Sequence, residues 1–123
     1  MKISTRKVDG VVIVDIVGRI VLGEGGQLRE VVSAKLLSGE KKLLLNLAEV
    51  NYIDSTGLGE LISTHTSVQK HGGQVQFLKL TNKVRDLLQI TKLYTVLDIK
   101  DDEAEAITSL NRTVESPEVL VAV

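Results

Sequence analysis

The chain has 123 residues, 43% hydrophobic and 25% charged, a balance that suits one domain with a single core and argues against two domains or a disordered chain. Fifteen basic and sixteen acidic residues leave a formal net charge of −1, and aromatic residues make up only 2%, so neither a basic field nor a stacking surface favours nucleic acid or anionic lipid. Cysteine is absent, which removes disulfides, thiolate catalysis and cysteine metal sites together; with no signal-peptide pattern and no apolar run near the roughly 18 residues of a membrane helix, a soluble cytoplasmic protein is expected.

Ile3 to Val8 reads as a short strand and Asp9-Gly10 as a two-residue hairpin turn, because a type I′ turn demands positive φ at both central residues. Val11 to Val17 returns antiparallel. Its nearly unbroken β-branched run predicts burial on both faces, with Asp15 as a solvated strand-end or edge residue. Gly18 to Gly26 is glycine-rich but lacks both the Gly-Lys-Ser/Thr ending of a phosphate loop and the spaced triplet of a dinucleotide site, so it reads as a structural loop. Leu28, Val31, Val32 and Leu36 then recur at helical spacing, predicting a helix from about Gln27 to Leu37 that Ser38-Gly39 ends.

Lys41 to Leu47 predicts a central parallel strand, and the stretch Asn46 to Glu60 (NLAEVNYIDSTGLGE) leads from it into the next helix. That helix is expected from Ser55 to Lys70, with Leu58, Leu61, Ile62, His65 and Val68 on one face and Glu60, Thr64, Ser67 and Lys70 mostly elsewhere. Gly57 and Gly59 each cost about 1 kcal/mol relative to Ala inside a helix, so close approach by another backbone is the expected reason for them. His71-Gly72-Gly73 closes the helix. Gln74 to Leu80 reads as a strand with Val75 and Phe77 inward, Thr81 as the cap of a helix from Asn82 to about Gln89, Tyr94 to Ile99 as a last strand, and Asp101-Asp102-Glu103 as the start of a final helix.

Alternating strands and helices place the strand-to-helix turns along one sheet edge, where open α/β sheets bind their partners. Asp54-Ser55-Thr56 forms such a turn. The first unpaired N–H groups of a helix and the positive end of its dipole favour negative charge there, so a phosphoryl group on Ser55 would fit. Thr56 is a second hydroxyl in the same turn, expected to serve local hydrogen bonding and standing as the alternative acceptor. Enzymatic use of Ser55 lacks a base: His65 and His71 lie at least ten residues on, and at about 1.5 Å per residue His65 is roughly 15 Å along the axis. The G-x-S-x-G elbow is also absent, so no catalytic residue, metal site or cofactor is expected.

The run Asp54-Ser55-Thr56-Gly57-Leu58-Gly59 follows an apolar strand, with GRIVLGEG upstream and LTNKVRDLLQITKLYTVLDI downstream. Together these resemble the STAS domain family of bacterial anti-sigma factor antagonists, over roughly residues 1 to 110. The resemblance implies an α/β STAS fold: a mixed sheet of about five strands with an N-terminal β-hairpin, flanked by about four helices. Residues 1–110 would form the domain and 111–123 a C-terminal tail or an added strand. It implies phosphorylation of Ser55 by a partner that is both serine kinase and anti-sigma factor. The unphosphorylated form would bind that partner and release a sigma factor. The family often carries an Asp in the loop after the second strand; Val21 stands near that place here, and Glu24 is the loop's only acid. The partner-binding set carried over is Asp54, Ser55, Thr56, Gly57, Leu58, Gly59 and Glu24. Two other classes remain open: a STAS scaffold or interaction module without phospho-switching, and a small-ligand or nucleotide-binding module using the Gly23 to Gly26 loop. Homo-oligomerisation is left open.

Overall fold

Five strands form one sheet whose spatial order, β1 to β5, is also their order along the chain. β1 (Lys2–Val8) and β2 (Val11–Ile20) make the antiparallel hairpin, with Asp9 and Gly10 both at positive φ, 49° and 81°, as a type I′ turn requires. β3 (Lys42–Ile53), β4 (Gln74–Leu78) and β5 (Ile99–Lys100) join in parallel, so the sheet is mixed as expected. Helices α1 (Gly25–Leu37), α2 (Ser55–Lys70) and α3 (Asn82–Thr91) connect successive parallel strands, and α4 (Glu103–Ala122) follows the last one. The computed structural model describes the backbone of residues 1–122 and the side chains of residues 1–24 and 26–112.

Strand pleating sorts the core into two layers. Val12, Val14, Ile16, Leu43, Leu45 and Phe77 point to one face, where they meet Leu28 and Val32 of α1, Leu61 and Val68 of α2, and Val84 and Leu88 of α3. Val11, Ile13, Leu44 and Leu78 point to the other, against Ala106, Ile107 and Leu110 of α4. Helices therefore cover both faces, which accounts for the unbroken β-branched run of β2.

Asp15 differs from expectation. It is half-buried at the edge of the α4 layer, where Arg6 Nε donates to its Oδ2 at 2.8 Å and Asn46 Nδ2 to its Oδ1 at 2.8 Å. Arg6 also pairs with Glu103, so one guanidinium ties β1 and β2 to the first turn of α4. The hydrogen bond from Arg6 holds the Asp15 and Glu103 carboxyls below their ordinary values, and the two carboxylates in turn raise the Arg6 value. Further along α4, Asn111 accepts from Lys42 Nζ at 2.7 Å and donates to the Asp9 carbonyl at 3.1 Å.

Several boundaries also differ. β2 and β3 continue to Ile20 and Ile53, past the expected ends at Val17 and Leu47. Their ladder skips register between Asp15 and Val17 and again between Gly18 and Arg19, with Gly18 at φ 110° absorbing the irregularity. Beyond it, apolar burial recurs only at Ile20 in β2 and at Val50 and Ile53 in β3, which breaks the simple strand pattern. Tyr94 to Ile99 is not a strand: Leu93–Thr95 forms a 3-10 turn and only Ile99–Lys100 pairs with β4. Thr64, expected off the apolar face, is 2% exposed, its hydroxyl satisfied by the Glu60 carbonyl at 2.8 Å. Thr81 precedes α3 without a side-chain cap bond; its hydroxyl instead donates to the Val50 carbonyl at 2.8 Å and fastens α3 to β3. The backbone from residue 111 to Ala122 continues α4 in place of a tail or an added strand, and residue 123 lies outside the described residues.

Candidate functional site: the start of α2

β2 and β3 end side by side, Ile20 opposite Ile53, so the loop after β2 and the helix after β3 rise from the same sheet edge. Asp54 leaves the strand with an extended backbone (φ −97°, ψ −177°) and becomes the N-cap of α2. Its carboxylate divides between two elements. Oδ1 accepts from the Gly57 N–H at 2.7 Å, inside the first helical turn, and Oδ2 accepts from the Leu22 N–H at 3.0 Å, in the neighbouring loop. The bond from Gly57, then that from Leu22, holds the Asp54 carboxyl below its ordinary value, and the Thr56 N–H adds a smaller contribution. Asp54 is therefore ionised at neutral pH, with each carboxylate oxygen engaged by a backbone N–H.

Ser55 and Thr56, the first two residues of α2, are exposed. Gly59 is exposed as well, and a Cβ there would meet nothing within 4 Å. Gly57 is different: a Cβ at that position would overlap the Ile20 carbonyl oxygen and stand 2.7 Å from its carbon and 2.8 Å from Ile53 Cγ1. Close backbone approach thus explains Gly57 and not Gly59. Gly57 and Leu58 are both buried, Leu58 in the core layer beneath α1 to α3. The two residues shape the turn from behind, and the surface a partner could touch is Ser55, Thr56 and Gly59. Glu24, the N-cap residue of α1, makes no side-chain cap bond; its carboxylate lies 3.6 Å from the Met1 amino group. His71 Nδ1 contacts the Ser67 carbonyl at 2.8 Å, a bond at the end of α2 far along the helix from Ser55.

One exposed apolar side chain stands beside this turn that the sequence reading passes over. Leu22 is 75% exposed while its N–H is pinned by Asp54, so a large apolar group is held out next to the two hydroxyls. Its signal is a leucine between glycine-rich flanks with no helical or strand partner, a weak cue until the loop's tether is known. Among the described residues no three His, Asp or Glu side chains come together as metal ligands, and no helix is long and apolar enough to cross a membrane.

The sequence and the fold have counterparts in known proteins. The chain is 35% identical over 86 residues to the anti-sigma-B factor antagonist of Bacillus subtilis, spanning 70% of this chain and 78% of that protein. The crystal structure of a candidate anti-sigma factor antagonist of Thermotoga maritima matches with a TM-score of 0.81 at 26% identity, covering 89% of this chain and 94% of that one. The unphosphorylated anti-sigma factor antagonist SpoIIAA shares the fold, with a TM-score of 0.74 at 20% identity over 89% of this chain and 96% of its own. The family model for the STAS domain matches residues 2–106, and the chain belongs to the STAS domain family.

Proposed function

We propose that this protein is an anti-sigma factor antagonist of the cytoplasm, and that Ser55 is the switch residue. Its partner is an anti-sigma factor with serine kinase activity. The unphosphorylated chain docks on it through the exposed start of α2 and so frees a sigma factor. In the reverse step the Ser55 oxygen attacks the γ-phosphorus of the partner's ATP, the bond to ADP breaks, and the hydroxyl proton passes to a base on the kinase. This chain is the substrate, not the catalyst, since the neighbouring Asp54 carboxylate is turned away into its two backbone bonds.

The observation that carries the reading is the division of labour at the turn: both Asp54 oxygens are engaged by backbone N–H groups while Ser55, Thr56 and Leu22 are exposed. Asp54 has already taken up the Gly57 N–H and part of the helix's positive end, so a phosphate of about −1.5 to −2 charges on Ser55 receives little compensation from within. Its charge is met by solvent when the chain is free. In a docked complex it would be desolvated beside Asp54, an arrangement that is strongly unfavourable. The fold is expected to tolerate the modification and the interface to be lost.

The test is intact-mass spectrometry with phosphosite mapping on protein isolated from its own cells in growth and in starvation. A shift of about 80 Da on Ser55 that varies with condition supports the switch; a phosphate on Thr56 moves the assignment by one residue. In a binding assay with the cognate kinase, Ser55→Ala is expected to bind and Ser55→Asp to fail. Equal affinity of both variants and wild type removes the proposal.

A further inference from the structure

At the sheet edge opposite the hairpin, the chain between α3 and β5 takes a detour. Lys92 turns left-handed at φ 60°, the 3-10 turn Leu93–Thr95 follows, and strand pairing resumes only at Ile99. The detour leaves a cleft of about 740 Å³ between α3 and β5. Leu80 and Asp101 in its lining follow the carboxyl ends of β4 and β5, while Tyr94 and Leu97 precede β5, so the cleft runs alongside that edge strand. Its volume falls within the roughly 300–1,000 Å³ of small-molecule sites. None of the residues lining it belongs to α2 or to the loop carrying Leu22, so it is a place separate from the Ser55 turn.

The floor of the cleft is apolar, made by buried Leu80 and Leu97 with half-buried Ile99. Arg85, Gln89 and Tyr94 bring hydrogen-bond donors to its wall. Asp101 faces Arg85 across it, but by one contact only, Nη2 to Oδ1 at 3.4 Å, with the Asp101 side chain 82% exposed. So long and exposed a pair contributes little and is readily exchanged. A guanidinium over an apolar floor, paired loosely to a carboxylate that can swing into water, is a receptor for another carboxylate. A phosphate dianion fits less well, because a single guanidinium beside Asp101 leaves one of its charges uncompensated. A cation would find one acid, already facing an arginine.

We propose that this cleft binds a small monocarboxylate with an apolar body, of the alkanoic or arylacetic type. Its carboxylate takes the place of Asp101 on the Arg85 fork, and its body covers Leu80, Leu97 and Ile99 beside the Tyr94 ring. The guanidinium stays paired throughout, so the affinity comes from the apolar body and the selectivity from the carboxylate.

The experiment is titration of the isotopically labelled full chain with octanoate, phenylacetate and octanamide, followed by ¹H–¹⁵N correlation spectra. Saturable shifts are expected within 80–101, with octanoate about tenfold tighter than its amide. Arg85→Gln is expected to abolish that preference and Asp101→Asn to tighten octanoate binding by removing the competing carboxylate. Should Arg85→Gln fail to fold, the Asp101→Asn comparison decides alone, unchanged or weaker binding counting against the site. No saturable shift with either acid at millimolar concentration overturns the proposal, as do equal affinities for octanoate and octanamide, or shifts centred on Leu22 and Ser55.

Discussion

Two glycines two residues apart in one helix are expected to respond oppositely to the same substitution. Gly59→Ala adds a methyl group where nothing lies within 4 Å, inside a helix that starts four residues earlier. Only the helix propensity changes, so the variant gains about 1 kcal/mol. Gly57→Ala has the same propensity gain, but its Cβ would overlap the Ile20 carbonyl oxygen and sit 2.7 Å from the carbonyl carbon. That obstacle is backbone at the end of a paired strand and cannot rotate away. Relief requires the first turn of α2 to lift from β2, which strains the Asp54 N–H bond to the Ile20 carbonyl (3.4 Å) and the tether to Leu22. Overpacking of this kind costs about 1–3 kcal/mol, and a backbone obstacle argues for the upper end. Net of propensity, Gly57→Ala is expected to lose about 2 kcal/mol. At about 4 °C per kcal/mol for a domain of this size, the melting temperature should rise by about 4 °C for Gly59→Ala and fall by about 8 °C for Gly57→Ala. Thermal melts with urea unfolding at constant m-value measure both. Shifts of the same sign, or a Gly57→Ala variant as stable as wild type, would refute the steric account.

Other substitutions probe separate links. Phe77→Ala, at the chain's single and fully buried phenylalanine, is expected to cost about 3–5 kcal/mol in urea unfolding. Leu22→Ser should leave the melting temperature within about 2 °C of wild type, because the side chain is 75% exposed, yet weaken capture of the proposed kinase about tenfold or more; unaltered binding would take Leu22 out of the interface. Asp15 and Glu103 are held below their ordinary values of 3.8 and 4.5, so their contribution is complete above the unfolded values and is lost as pH falls through the folded ones. Wild-type stability should accordingly be level above about pH 5 and decline below about pH 4. Asp15→Asn and Glu103→Gln are expected to be less stable at neutral pH and to converge with wild type in acid; curves that stay parallel would dismiss the Arg6 network as the cause.

The hairpin, the strand-helix alternation and the start of α2 were legible because each has a local cause: Asp9-Gly10 for the turn, apolar spacing for α1 to α3, and Asp54 as a cap. Features that depend on a distant segment were not. Asp15 reads as solvated until Arg6, Asn46 and Glu103 arrive from three other elements. The far ends of β2 and β3 are hidden by their register skips, and Thr64 is hidden because a hydroxyl that bonds its own helix can be buried without a partner elsewhere. Tyr94 to Val96 has strand-like residues, but the left-handed Lys92 sets the chain into a 3-10 turn before it reaches the sheet. At the site, the hydroxyls of Ser55 and Thr56 were visible in the sequence, whereas the roles of Gly57 and Gly59 separate only when Ile20 is seen lying over one of them.

That separation bears on how a phosphate at Ser55 could act. A carboxylate at the N-cap and a phosphate on the next residue compete for the same few N–H groups. Here Asp54 holds the Gly57 N–H at 2.7 Å and uses its second oxygen to hold the loop of Leu22. If the phosphate displaced Asp54 from the helix, it would release Leu22 and reshape the surface; if it did not, it would add charge to an unchanged surface. Asp54→Asn distinguishes the two. An amide side chain keeps one acceptor and loses the charge, so a charge-only switch should be blunted, with phosphorylated Asp54→Asn retaining more kinase affinity than phosphorylated wild type. A displacement switch predicts that unphosphorylated Asp54→Asn already binds poorly, because its loop is untethered. Affinities of the four species, with the Leu22 amide resonance as a reporter of the tether, measure which occurs. The charge-only mechanism is the expected outcome, because displacing Asp54 would give up bonds to two elements at once.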